Sequence, residues 1–222
     1  MKATLISFSK PTRELYDQGL YDAQDLIAYC ARVSNPSNQF NTETSEKLLG
    51  YLAKHKHWSP FEMVSACIEV ETTRDIARQL LRHRSFSFQE YSQRYADPTK
   101  DLEFVLRDAR LQDPKNRQNS ISIEDAELTA QWYMKQAAVT KLAKETYQWA
   151  IDNDIAKEQA RAVLPEGMTM SRLYVNGTIR SWIHYIELRS SNGTQLEHIE
   201  LARACAKAIA EVFPIIEEYV DE

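Results

Sequence analysis

The chain has 222 residues, 43% of them apolar and 27% charged, the profile of an ordinary soluble protein long enough to build a sizeable core. A formal net charge of −5 argues against general nucleic-acid binding, which needs a basic excess, and no segment approaches the length of a membrane span. Cys30, Cys67 and Cys205 are widely spaced in mainly apolar stretches, with no Cys-x-x-Cys, and read as small buried hydrophobes in a reducing compartment.

The amino terminus carries no long apolar run of the signal-peptide kind, so the expected location is cytoplasmic. Thr4 to Phe8 leans towards a strand that Pro11 ends. Asp22 to Val33 has helical spacing, with Ala23, Leu26, Ile27, Cys30 and Val33 on one side. Ser34 to Asn38 is a loop by composition, and a second helix is expected from about Thr44 to His55, with Leu48, Leu49 and Leu52 inward. After the polar and aromatic turn His57 to Glu62, the period changes to two. Val64, Ala66, Ile68 and Val70 alternate with more polar neighbours, as a strand with one face in a core requires.

Thr72 or Thr73 can cap a helix running through Arg84, with Ile76, Ala77, Leu80 and Leu81 as its apolar stripe. Arg74, Arg78 and Arg82 recur on the other side, and for Arg74 a solvated basic face is the expectation. Leu102 to Arg107 reads as a further strand, and Asp108 to Ser122, almost free of apolar residues, as an exposed connector. The longest helical pattern runs from Glu124 to about Asn153, with Leu128, Trp132, Ala138, Leu142 and Trp149 as buried candidates. A helix from Ile155 to Leu164 stops at Pro165. Met168 to Val175 is strand-like, Asn176-Gly177 signals a turn, Ile179 to Leu188 is helical, and Gln195 to Val220 is helical with an interruption near Pro214. Without repeats, linkers or regular βαβ alternation, the expectation is one α+β domain over 1–222. It has a mainly antiparallel sheet flanked by helices, one of them long.

Arg82 to Tyr95 packs three arginines, a histidine, three serines, a carboxylate and four aromatics into one short stretch. Arginine forks grip phosphates and planar carbonyls, and aromatic rings cover flat heterocycles, so an anionic, ring-bearing ligand such as a nucleotide is implied. His83, between two arginines, should stay neutral. Glu90 among arginines should stay ionised and accept hydrogen bonds. Ser85, Ser87 and Ser92 lack a Gly-x-Ser-x-Gly elbow and read as ligand-holding hydroxyls rather than nucleophiles. Glycine-rich fingerprints for dinucleotides or phosphates are missing from the sequence. His55 and His57 have no carboxylate or cysteine at ligand spacing, so no metal is expected. His198 lies in a charged helix and reads as structural or exposed. Arg161, Arg180 and Arg189 stand in mostly apolar surroundings, where each needs either an ion pair with Glu158, Glu187 or Glu197, or an anionic ligand.

The spacing Arg82-His83-Arg84-x-x-Ser87-x-x-x-x-Ser92-x-Arg94 resembles the signature of the flavin-dependent thymidylate synthases. So do His57-x-Ser59-Pro60-Phe61-Glu62, Gln79-x-x-Arg82, Arg161-x-x-Leu164-Pro165 and Arg180-x-x-x-His184-Tyr185-x-x-x-Arg189, in the family's order. The resemblance implies a homotetramer with sites shared between subunits that methylates C5 of dUMP to give dTMP. Methylenetetrahydrofolate would supply the carbon, FAD would carry the hydride, NADPH would reduce the flavin, and no cysteine would attack the pyrimidine. It implies FAD contacts at Ser59, Arg82, His83, Arg84, Glu90, Thr178, Arg180 and His184. For dUMP it implies Gln79, Arg82, Glu90, Ser92, Arg94, Arg161 and Arg189, with Arg189 catalytic. Gln89 and Thr178 stand where the family often has Asn. The alternative from the residues alone is a nucleotide-sensing or single-stranded nucleic-acid module, with Phe86, Phe88, Tyr91 and Tyr95 as stacking platforms.

Overall fold

A computed structural model describes residues 1–220, so the last two residues of the expected domain lie outside the described ones. In chain order the elements are β1 (Lys2–Phe8), α1 (Arg13–Asp17), α2 (Ala23–Ala31), α3 (Ser45–Lys54), β2 (Ser65–Thr73) and α4 (Arg74–Leu80). There follow β3 (Ser87–Glu90), α5 (Pro98–Asp101), β4 (Arg110–Gln112), β5 (Ser120–Ser122) and α6 (Ala126–Asp152). The chain then forms α7 (Lys157–Ala160), β6 (Met170–Thr178), α8 (Ile179–Ser190) and α9 (Leu196–Ala210). The class is α+β, as the sequence implies. A four-stranded sheet in the order β1-β2-β6-β3 is antiparallel throughout.

The sheet is one-sided. Ala66, Ile68 and Val70 of β2 and Leu173 and Val175 of β6 are buried against α8 and α9, which supply Trp182, Ile183, Ile186, Leu201 and Cys205. The alternate residues pair across the other face, Glu71 with Arg172 and Glu69 with Tyr174. This is the period-two pattern of a sheet with one solvated side. Trp182 places its indole N–H on the Ala66 carbonyl at 3.1 Å, so the largest core side chain also satisfies its one donor.

Several expectations are corrected. β6 runs through Asn176-Gly177 without turning, because Gly177 pairs with Ala66 beneath the Phe86 ring. A Cβ there would lie 2.3 Å from Phe86 Cδ1, so the glycine makes room for a ring rather than for a bend. The helix after β2 stops at Leu80, not Arg84, and hands the motif to a turn that ends in β3. Val33 lies past the end of α2 and is exposed. Cys30 and Cys67 are half-buried, and only Cys205 is fully buried.

Leu102 to Arg107 adds only the single bridge Phe104–Thr169 to the sheet. Its end is captured by Gln136, whose Oε1 accepts from the Arg107 N–H at 2.9 Å and whose Nε2 donates to the Arg107 carbonyl at 2.8 Å. The expected connector at 108–122 instead contains the β4–β5 pair, tied down where Arg107 reaches Asp75 at 2.7 Å and Arg110 reaches Glu197. Between Ala156 and Leu164 the chain makes only one turn of α-helix and a 3-10 turn.

Helix α6 differs most. Its inward side carries Gln136, Thr140, Ala143, Tyr147 and Ala150, while Leu128, Trp132, Leu142 and Trp149 are exposed, as is Ala138. The bulkier apolar stripe faces away from its own chain.

Candidate active site

Helix α8 organises the site. Thr178 caps it, accepting a hydrogen bond from the Ser181 N–H, so the end of β6 fixes where the helix starts. Spacings of four then set Arg180 beside His184 and Tyr185 beside Arg189 on adjacent faces. Trp182, Ile183 and Ile186 anchor the opposite side in the core.

Arg180 pairs with Glu62, joining α8 to the His57–Glu62 turn, and His184 stands edge-on to Trp58 at 4.8 Å. Ser181 donates to the Ser85 carbonyl, which brings in the turn after α4. About two helical turns further, Arg189 Nε donates to His83 Nε2 at 3.0 Å. Three blocks far apart in sequence therefore meet along α8. Ser59, Arg82 and Arg84 are exposed around this junction, with Thr178 half-buried.

His83 is kept neutral by burial first and by the charges of Arg189 and Arg82 second, which together lower its pKa to about 4. A neutral ring can accept from Arg189. Half-buried Arg189 thus has a hydrogen-bond partner but no carboxylate, and its positive charge stays uncompensated within the described residues. His184 is likewise lowered by burial and by Arg180. The expected pairings of late arginines with Glu158, Glu187 or Glu197 do not form: Glu158 pairs with Arg94, Glu197 with Arg110 and Arg180 with Glu62. Arg161 is half-buried and has no carboxylate partner among the described residues.

Glu90 lies at the end of β3 and accepts from Ser171 at 3.0 Å. Arg74 and Arg78 stand 3.6 and 3.8 Å from its carboxylate and bridge to Glu166 as well. The solvated reading of Arg74 is overturned. It is 8% exposed and pairs with both Glu90 and Glu166. Ser92 and Arg94 follow in the next turn, with Arg94 held near Glu158 of α7.

Of the two readings of His198, structural or exposed, the structural one holds. Its position on the buried stripe of α9, with Leu201, Ala202 and Cys205, makes it a core residue with no exposure. Its Nδ1 lies 3.2 Å from Gln79 Oε1 and its Nε2 is buried without a partner. Gln195 also touches Gln79, its Oε1 accepting from Gln79 Nε2 at 2.9 Å. Neither residue was singled out by motif. The three-residue step from Gln195 to His198, and from His198 to Leu201, is the signal that places both in the first turn facing inward.

These groups present donors and cations without a carboxylate partner, Arg189 among them, on a face where Ser59, Arg82 and Arg84 are exposed. A hollow of about 480 Å³ lies between Thr73, Arg107, Arg110 and Glu197, and none of the motif residues line it.

Residues 15–215 match the family described as Thymidylate synthase complementing protein. A probable flavin-dependent thymidylate synthase of Paramecium bursaria Chlorella virus 1 is 48% identical over 221 residues, covering 100% of this chain and 99% of the relative. The flavin-dependent thymidylate synthase of Synechocystis is 46% identical over 217 residues, or 97% of each chain.

The chain belongs to the flavin-dependent thymidylate synthase family.

Among solved structures, a UMP/dUMP methylase from Streptomyces cacaoi, bound with 5-Br dUMP, superposes with a TM-score of 0.78 at 26% identity. The match covers 98% of this chain and 93% of that one. Family membership explains why the motif blocks converge on α8, and among the described residues no helix is long and apolar enough to cross a membrane.

Proposed function

We propose that this chain makes dTMP by reductive methylation of C5 of dUMP, with FAD as hydride carrier, methylenetetrahydrofolate as carbon donor and NADPH as the flavin's reductant. The observation that carries the proposal is the half-buried Arg189 guanidinium, held by neutral His83 and left without a carboxylate where three motif blocks meet. A cation so placed needs an anionic partner, and a pyrimidine losing its N3 proton provides one. Arg189 stabilises that charge and makes C5 the better nucleophile. The likeness to a methylase bound with a brominated dUMP supports the substrate class.

The remaining assignments follow the family's pattern. Gln79, Arg82, Glu90, Ser92, Arg94 and Arg161 hold dUMP, the arginines at its phosphate and the amide and hydroxyl groups at its ring. Ser59, Arg82, His83, Arg84, Glu90, Thr178, Arg180 and His184 are the residues for FAD. Their donor set suits it. Exposed guanidiniums near the α8 amino terminus match a diphosphate, and neutral His83 and His184 can share hydrogen bonds with an uncharged ring system. Held by these residues, a reduced flavin would supply the hydride, and no protein nucleophile would be required. Cys205 suits that scheme, since burial raises its thiol pKa to about 12.

The protein acts in the cytoplasm as a homotetramer with sites shared between subunits. The open face at α8 and the outward stripe of α6, with Trp132 45% and Leu142 64% exposed, support that assembly. The test is to reconstitute the protein with FAD and supply the complete substrate set. Stoichiometric flavin and dTMP formation are expected. Absence of both overturns the proposal.

A further inference from the structure

Five side chains from three elements form a continuous row that runs from Arg110 through Gln79 to His198. Arg110 of β4 donates to Glu197 Oε1, and Gln195 Nε2 donates to Glu197 Oε2 at 2.9 Å. Gln79 Nε2 donates to Gln195 Oε1 at 2.9 Å, and Gln79 Oε1 faces His198 Nδ1 at 3.2 Å.

The row has a direction set by its charged end. Burial pushes the Glu197 carboxyl pKa up, but hydrogen bonds from Arg110, its own backbone and Gln195 outweigh it and leave the pKa lowered, so the group is ionised. An ionised carboxylate only accepts. Gln195 must therefore turn its NH₂ to Glu197 and its carbonyl to Gln79. Gln79 must then donate to Gln195 and show its own carbonyl to His198, and His198 must supply a proton from Nδ1. Its Nε2 is left as a bare lone pair, which agrees with that atom being buried and without a partner. Reversing any one amide sets acceptor against acceptor or donor against donor. The assignment thus rests on the chemistry of the row and not on the placement of individual amide atoms.

We infer that Glu197, Gln195 and His198 are positioning residues that lock the Gln79 amide in one orientation, so that it meets the pyrimidine with a fixed pattern of donor and acceptor. The inference rests on Gln79 as a dUMP contact, as proposed above. It deepens that reading by naming what holds the contact in place. The lock acts through Gln79 and touches no substrate itself. A glutamine amide can flip at little cost in solvent. Here both of its polar atoms are engaged before substrate arrives, and the surrounding geometry is prepaid in the fold.

The tautomer of His198 is the direct readout. Ring carbon and nitrogen chemical shifts of histidine-labelled holoenzyme should show His198 as the neutral Nδ1–H form, with the signal assigned by its loss in His198→Asn. In Glu197→Gln the row loses its fixed end, and His198 should become a mixture of tautomers. His198→Leu should weaken dUMP binding roughly tenfold, read from flavin absorbance, whereas His198→Asn, which keeps a donor near Nδ1, should stay within about twofold of wild type. An Nε2–H tautomer of His198 in the wild-type protein overturns the row, whatever the variants do to dUMP binding. Nδ1–H together with unchanged dUMP binding in His198→Leu leaves the row standing but overturns its link to substrate, and counts against Gln79 as a dUMP contact.

Discussion

Arg189 and His83 share one hydrogen bond, and each depends on the other's charge state. His83 can accept only while neutral, and burial with the nearby Arg189 and Arg82 keeps it so. Its pKa is lowered from 6.5 to about 4, so the folded state binds a proton less readily than the unfolded chain. The stability this contributes is present above pH 6.5 and is lost as pH falls through about 4. Melting temperatures measured across that window should fall more steeply for wild type than for His83→Gln; parallel curves would contradict the neutral-acceptor assignment. Arg189→Ala should retain fold and flavin but lose turnover by about a hundredfold or more, the scale of deleting a group that stabilises developing charge. An unchanged kcat would reject its catalytic role. At this scale the sequence was most readable. Charge crowding around His83 pointed to its neutrality, although burial and the distant Arg189 contribute more than its sequence neighbours. His198 was not readable in the same way, because only its helical phase, not its charged neighbours, decides that it is buried.

The elements were legible where one period dominated and misread where a distant partner intervened. The alternation from Val64 to Val70 gave β2 directly, since every second residue packs on the core. Asn176-Gly177 has turn composition, yet Phe86, some ninety residues earlier by sequence count, explains the glycine. Gly177→Ala is therefore expected to destabilise the fold by about 1–3 kcal/mol through overpacking. Denaturant melts should register the loss, and a neutral result would show that the Phe86 ring yields freely. Arg74 was misread for a similar reason. Its carboxylate partners come from β3 and the segment before β6, and no local pattern announces them.

For the whole molecule, α6 is the element whose sequence and placement disagree most in one chain. A helical pattern finds an apolar stripe, and periodicity cannot tell whether it faces its own core or another copy. Here the small and polar residues face inward and Leu128, Trp132, Leu142 and Trp149 face out. Charge placed on that stripe, as in Trp132→Glu with Leu142→Glu, should reduce the proposed tetramer to smaller species in light scattering and lower activity with it. An intact tetramer would move the interface elsewhere. The family itself was legible because its residues recur in fixed spacing along most of the chain, whereas the open shape of the site in one chain was not. The central claim is tested most directly by following flavin absorbance in one cuvette. NADPH should bleach the reconstituted protein, and colour should return under anaerobic conditions only when dUMP and methylenetetrahydrofolate are both present, with dTMP formed in equal amount. Anaerobic colour that returns without dUMP, or that returns with no dTMP formed, would contradict the account.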